Sequence, residues 1–338
     1  MEDRVSAALL DWYDRHARSF PWRQKGEGDP YRVWLSEIML QQTTTAHVAP
    51  YFAKFLARWP TVDDLAAARE EDIMAEWAGL GYYSRARNLV ACARAVAAQS
   101  GFPGSEEELR KLPGLGAYTA AAVAAIAFGR RAVVIDANVE RVVARLFAID
   151  EPLPGARKAI RRAAERLTPA EGAGDFAQAM MDLGATICTP RDPKCLLCPV
   201  STACQARAQG RQDQLPVKAP KKARPHRIGT AFWIERGGLV WLVRRHSRAM
   251  LGGMRALPDD GWTARVDGSG QAPHPGAWRA GGVVRHVFTH AHLELGLAIY
   301  AGDRFESLEN GEWWPVADIE SAGLPTLFAK AAGLATAD

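Results

Sequence analysis

Four cysteines, Cys188, Cys195, Cys198 and Cys204, fall within 17 residues in the pattern C-x6-C-x2-C-x5-C, and the chain holds only one other, Cys92. Thiols this close together either pair as disulfides or hold a shared ligand. The first residues, MEDRVSAALLDWYDRHARSF, carry both charge signs and no apolar run ahead of a cleavage site. No export signal is read there, so a cytoplasmic setting (nucleoid-associated in a bacterium) is expected, where thiols stay reduced. Structural zinc usually takes two close pairs, and only Cys195 and Cys198 form one. Iron–sulfur clusters accept more varied spacing, so a single 4Fe-4S cluster is favoured, with zinc as the rival.

The 338 residues are long enough for two ordinary domains. Up to about Gln205, apolar residues recur at helical spacing in Val5–Tyr13, Tyr31–Gln42, Val48–Arg58, Asp63–Trp77 and Arg85–Gln99. The same period runs through Glu106–Lys111, Ala117–Phe128, Val139–Ala148, Ala156–Leu167 and Phe176–Ile187. Residues 205–228 then carry seven Arg and Lys against Asp213 alone, which reads as an exposed basic linker over 206–228. Beyond it Thr230–Glu235, Leu239–Arg244 and His292–Tyr300 have the texture of strands, Gly237-Gly238 signals a hairpin, and Thr326–Ala335 predicts a closing helix. The expected organisation is an all-α domain over 1–205 and a smaller α+β domain over 229–338. Leu112–Gly129 is free of charge, but it opens on a Pro/Gly turn and the Ala-rich remainder is too short to span a bilayer, so no membrane partner is expected. A net charge of +4 is compatible with nucleic acid but too mild to argue for it.

Three local features carry chemistry. The turn Leu112-Pro113-Gly114-Leu115-Gly116 precedes a predicted helix; Gly114 and Gly116 suit it either to cradle a phosphate or to join two helices. Glu37 lies on a predicted helix with Val33, Trp34 and Leu40 around it, where desolvation raises the pKa and suits an acid; pairing with an arginine is the plainer reading. Asp136 follows the apolar run Ala132–Ile135 and precedes a helix, where it serves as a stabilising negative charge or simply as an N-cap.

Leu112–Ala120, Val134-Ile135-Asp136 and the cysteine quartet together resemble the Fe–S branch of the helix-hairpin-helix DNA glycosylase superfamily. Trp34–Thr43 (WLSEIMLQQT) and Gly79–Tyr83 (GLGYY) look specifically like its adenine DNA glycosylases of the MutY type. The resemblance implies a multi-domain protein: an all-α helix-hairpin-helix glycosylase domain with a 4Fe-4S cluster loop at 188–204, then an α+β Nudix-like domain. Its implied substrate is double-stranded DNA in which adenine faces 8-oxoguanine or guanine, and its implied form is a monomer. It makes Glu37 the acid, Asp136 the carboxylate that stabilises a cationic sugar, and Asn138 their assistant, so Glu37→Gln and Asp136→Asn are each expected to end excision.

At Tyr118 bifunctional relatives have a lysine that forms a Schiff base; a phenol cannot, which implies base removal without strand cleavage. Gln42 and Tyr82 match residues that insert into the duplex, Gly114 and Gly116 belong to the phosphate-holding hairpin, and Trp22, Arg23, Leu40 and Gln178 line the adenine pocket, with Asp182 nearby. In the second domain Phe288-Thr289-His290 resembles the family's Phe-Ser-His loop, which contacts 8-oxoguanine. The residues after Leu257-Pro258 lack the Glu-rich helix a Nudix hydrolase needs. The rival readings are an endonuclease III-like glycosylase/lyase, a non-enzymatic Fe–S DNA-binding protein and a nucleotide hydrolase.

Overall fold

The helical period of the first 187 residues becomes α1 (Glu2–His16), α2 (Pro30–Leu40), α3 (Thr45–Arg58), α4 (Val62–Ala67), α5 (Glu70–Glu76), α6 (Tyr83–Ala98), α7 (Glu106–Leu109), α8 (Ala117–Phe128), α9 (Ala137–Leu146), α10 (Arg157–Leu167) and α11 (Ala173–Thr186). The computed structural model describes residues 2–23, 28–220, 223–245, 250–288, 291–302 and 308–337. Contacts divide the chain after Pro220 into a helical unit and a unit of mixed structure.

Asp63–Trp77, expected as one helix, is two. Ala68 and Arg69 are extended (ψ 150° and 135°) between α4 and α5. Local signals cause the break: Thr61 and Asp64 form a capping box at α4, and Glu70, Glu71 and Asp72 start α5 with negative charge at the positive end of its dipole. The period survives the break because Leu65 and Ile73 enter the same core.

The helical unit has two cores. Trp34, Phe52, Phe55, Val90 and Val123 belong to one, from α2, α3, α6 and α8. Leu9, Val143, Ile160 and Leu183 belong to the other, from α1, α9, α10 and α11. Alanine-rich α8 is buried without a break from Thr119 to Ala125, and its small side chains let α2 and α11 both pack on it. At Gly174 of α11 an added Cβ would lie 2.5 Å from the Ala125 carbonyl oxygen.

After α11, residues 188–204 form a loop with 3-10 turns at Cys195–Leu197 and Ser201–Ala203, followed by α12 (Gln205–Ala208). The segment expected as an exposed basic linker over 206–228 is anchored in part. Ala206 and Leu215 are buried, and Leu153 N–H donates to the Val217 carbonyl (2.9 Å) while Ala219 N–H donates to the Leu153 carbonyl (3.2 Å). Up to residue 220 the segment is docked on the helical unit, and a strand has begun by His226. The basic composition hid the apolar anchors Ala206 and Leu215.

The second unit contains β1 (His226–Trp233), β2 (Glu235–Arg236), β3 (Leu239–Arg244), β4 (Arg255–Ala256), β5 (Trp278–Val287), β6 (His292–Tyr300), β7 (Gly311–Pro315) and α13 (Thr326–Thr336). One sheet has the order β1-β6-β5, with β1 and β6 parallel and β5 antiparallel to β6. In the other, β3 pairs with β7, with β2 at its start and with β4 at its end. Gly237 and Gly238 turn the β2–β3 hairpin. Leu295 of β6, Leu242 of β3 and Phe328 of α13 share one core with Trp262. No helix among the described residues is long and apolar enough to cross a membrane.

Candidate active site

A cavity of about 770 Å³ draws its walls from both cores of the helical unit. Trp22, Arg23, Glu37, Leu40, Gln42, Gly114, Gly116, Tyr118, Asp136, Asn138 and Gln178 all line it. Of the predicted duplex-contacting residues, Tyr82 lies outside the lining and is 53% exposed.

Glu37 sits on α2, which starts cleanly because Asp29 caps it and Pro30 occupies its first turn. All but one of the residues from Tyr31 to Met39 are buried, Glu37 among them. Burial pushes its carboxyl up to about 7; the Asp136 carboxylate pushes the same way, while a hydrogen bond with Tyr118 and the charge of Arg23 pull down. Tyr118, near the start of α8, has its hydroxyl within reach of Glu37 and 3.5 Å from Met181 Sδ; burial raises this phenol well above its usual range. It is neutral at physiological pH.

Asp136 does cap α9, accepting from Val139 N–H at 2.7 Å, and its second oxygen accepts from the Asn138 side-chain amide at 2.8 Å. One side chain therefore both caps α9 and lines the cavity. Asn138 in turn accepts from Arg141 (2.9 Å), whose guanidinium also donates to the carbonyls of Gly184 (2.6 Å) and Cys188 (2.7 Å). Gly184 lets α11 come this close: a Cβ there would stand 2.6 Å from Asn138 Cβ and 3.1 Å from its Cα. Gly184→Ala is expected to lower stability by about 1–3 kcal/mol through overpacking. Denaturant unfolding reads this directly, and an unchanged midpoint would refute it.

Arg23 is aimed by a residue that the sequence reading placed only loosely. Asp182 is fully buried and takes Arg23 at 2.6 and 2.8 Å and Arg18 at 2.7 Å. Asp182 thus stands behind the cavity rather than in it, and these cations hold its carboxyl below the ordinary range despite burial. Phe20 and Trp22 stack at 4.9 Å beside this group. The sequence reading also missed Met181 and Arg141. Each lies three positions beyond a residue it had singled out, Gln178 and Asn138, and so shares that residue's helix face.

At the hairpin, Gly114 has φ +77°, and a Cβ there would meet Asn88 Cβ at 2.6 Å. The turn needs glycine for its backbone and for its approach to α6.

The four cysteines line one small second cavity together with Arg145, Ile187 and Arg207. Arg145 is buried and donates to Cys188 Sγ at 3.3 Å, to the Thr189 carbonyl at 2.7 Å and to the Leu215 carbonyl at 2.9 Å. Burial pushes the Cys198 thiol to about 11, so a thiolate there requires a cation. Among the described residues, no three His, Cys, Asp or Glu side chains close on one metal-ion position. Arg191 and Lys194 on this loop are exposed; Arg207 instead turns back to the Ser201 carbonyl (3.2 Å).

In the second unit Phe288 follows β5, its N–H donating to the Ala291 carbonyl (2.8 Å). Its ring packs near Trp262 and His286, at centroid distances of 5.9 and 4.5 Å. Thr289 and His290 lie outside the described residues. The stretch after Pro258 forms no helix; Asp259 pairs with Arg245, and Asp260 accepts from Gly270 N–H at 3.1 Å.

Residues 35–169 match the model of the HhH-GPD superfamily base excision DNA repair proteins, and 230–333 match a NUDIX domain. The human adenine DNA glycosylase is 45% identical over 219 residues, 62% of this chain but only 40% of that protein's length. The rat adenine DNA glycosylase is 35% identical over 354 residues, covering 84% of this chain and 68% of its own. Among solved structures, a thermostable thymine-DNA glycosylase shares 33% identity at a TM-score of 0.56, covering 62% of this chain and 97% of its own.

Proposed function

Because the chain belongs to the adenine DNA glycosylase (MutY) family, we propose that it removes adenine from duplex DNA in base excision repair, acting where adenine faces 8-oxoguanine or guanine. The observation that carries this reading is the meeting, in one cavity, of a carboxyl raised to about 7 with a second carboxylate already held by N–H donors. A departing base needs a proton, and the sugar left behind needs a negative charge. Glu37, protonated at neutral pH for much of the time, gives its proton to the adenine. Asp136, fixed by Val139 and Asn138, faces the developing oxocarbenium ion, and water completes hydrolysis. Arg23, held by Asp182, and the Trp22 ring define the base pocket. Gln42 and Tyr82 enter the duplex when the adenine leaves the stack, offsetting part of an unstacking cost of a few kcal/mol.

Cys188, Cys195, Cys198 and Cys204 would hold a 4Fe-4S cluster. Thiols that share one cavity without closing on a single ion suit a ligand of several atoms better than zinc. When bound, the cluster supplies a staple for the loop that carries Arg191 and Lys194 towards phosphates. Phe288, Thr289 and His290 are assigned to recognition of 8-oxoguanine, and the protein acts as a monomer.

The test is single-turnover excision on duplexes with adenine opposite each base, with and without alkali. Cleavage that appears only after alkali, fastest opposite 8-oxoguanine, is expected from a monofunctional enzyme. A borohydride-trapped adduct in high yield would replace this reading with a glycosylase/lyase. No product at all would leave a DNA-binding protein.

A further inference from the structure

Arg85 on α6 is a buried guanidinium with no carboxylate acting on it among the described residues. It is nonetheless well occupied. Nη1 donates to the carbonyls of Ile38 (2.9 Å) and Met39 (3.0 Å), in the last turn of α2, where helix carbonyls lack partners. Nη2 donates to the Leu80 carbonyl at 2.9 Å and lies 3.4 Å from Thr43 Oγ1. The same guanidinium lies over the rings of Trp77 (5.3 Å) and Tyr82 (5.4 Å). Trp77 Nε1–H adds a bond to the Gly81 carbonyl at 3.0 Å.

The two segments joined in this way are unusual. Just beyond the α2 end, Gln42 has φ +60°; just before α6, Tyr82 has φ +48°. Neither is glycine, each conformation costs about 1–3 kcal/mol, and both side chains are exposed. Strained exposed side chains need a rigid frame, and Arg85 is the group that bonds both segments at once. A lysine in its place has a single ammonium and could not span both sets of carbonyls or stack on the rings.

We infer that Arg85 is a positioning residue: its planar fork holds the Gln42 and Tyr82 segments at a set separation, so that both side chains are preformed to enter one opened base step. This rests on the reading of the cavity as a glycosylase site with Gln42 and Tyr82 at the duplex. Preformed insertion matters only when a base has left the stack, so the clamp governs preference for the mispair and not general affinity for DNA.

The experiment compares dissociation constants of the full-length protein for two duplexes of one sequence. One carries 2′-fluoro-2′-deoxyadenosine, which resists excision, opposite 8-oxoguanine; the other is undamaged. Arg85→Lys is expected to reduce the ratio of the two constants about tenfold. The undamaged-duplex affinity stays at its wild-type value, while the melting temperature falls because the carbonyls of Ile38, Met39 and Leu80 lose donors. In a Tyr82→Ala background the same substitution should change the ratio by no more than about twofold, because the partner it acts through is gone. A ratio unchanged by Arg85→Lys overturns the clamp alone. Equal loss of affinity for both duplexes, or an undiminished effect in the Tyr82→Ala background, makes Arg85 merely structural and also overturns it. A wild-type protein with no preference for the mispair overturns the functional reading, and the clamp with it.

Discussion

Glu37→Gln is expected to abolish base excision and at the same time to stabilise the folded chain above pH 7. Loss of a general acid removes about 10²–10⁴-fold in rate. Stability moves the other way because the native site raises the Glu37 carboxyl from 4.5 to about 7. The folded state therefore binds this proton more tightly than the unfolded chain does. The stability contributed by the protonated form is fully present below 4.5 and is lost as pH rises through 7, a difference on the order of 3 kcal/mol. Glutamine carries no charge to bury and escapes this loss. Denaturant unfolding at pH 5 and pH 8 should show the variant's advantage growing with pH, while wild-type excision falls as pH rises through about 7 and the acid form is depleted. Asp136→Asn is the companion. It also ends excision, but asparagine still caps α9, so its stability stays near wild type. Retained excision in either variant would sink the assignment, and a pH-independent stability difference for Glu37→Gln would sink its electrostatic basis.

Cys198→Ser is expected to strip iron and inorganic sulfide from the purified protein and to loosen residues 188–219. That stretch has little apolar anchoring of its own: Val200, Ala206 and Leu215 are its buried hydrophobics, and its regular structure amounts to two 3-10 turns and the single turn of α12. So small a core does not hold an excursion of this length, and a metal-coupled site supplies folding free energy of order 10 kcal/mol. The bonds from Arg145 to Cys188 Sγ and the Thr189 and Leu215 carbonyls carry the loss towards α9. DNA affinity should therefore fall before the excision chemistry does. The checks are iron and sulfide content, melting temperature and limited proteolysis. A variant without iron that melts like the wild type would show that the quartet is no staple.

How much was legible varied with how local each signal is. The run from Ala117 to Phe128 has the observed bounds of α8, because Gly116 and Gly129 punctuate an unbroken stretch of helix formers. Strand β3 was equally clear, a short apolar run behind a Gly-Gly turn. Strand β5 was not, since Gly281, Gly282 and exposed arginines break its alternation, and the register slips between Ala280 and Gly282. Five-residue β7 is too short to show a period and exists because β3 offers an edge. The docked part of the basic segment was missed for a related reason, as two buried apolar side chains weigh little against seven cations in composition.

The sequence alone settled which functional groups are present: four thiols at one spacing, two carboxyls ahead of or within helices, and a phenol, Tyr118, at the start of a helix. Those are properties of side-chain type and short-range spacing, and they survive without knowledge of packing. Tertiary structure alone decided what these groups can do. The Glu37 carboxyl is raised to about 7 because α2 buries it and α9 brings Asp136 close, against the pull of Tyr118 from α8. Arg23 points into the cavity because Asp182, 159 residues away, holds it from behind. Desolvation and Coulomb energy depend on distance through space, and no local pattern along the chain carries that distance.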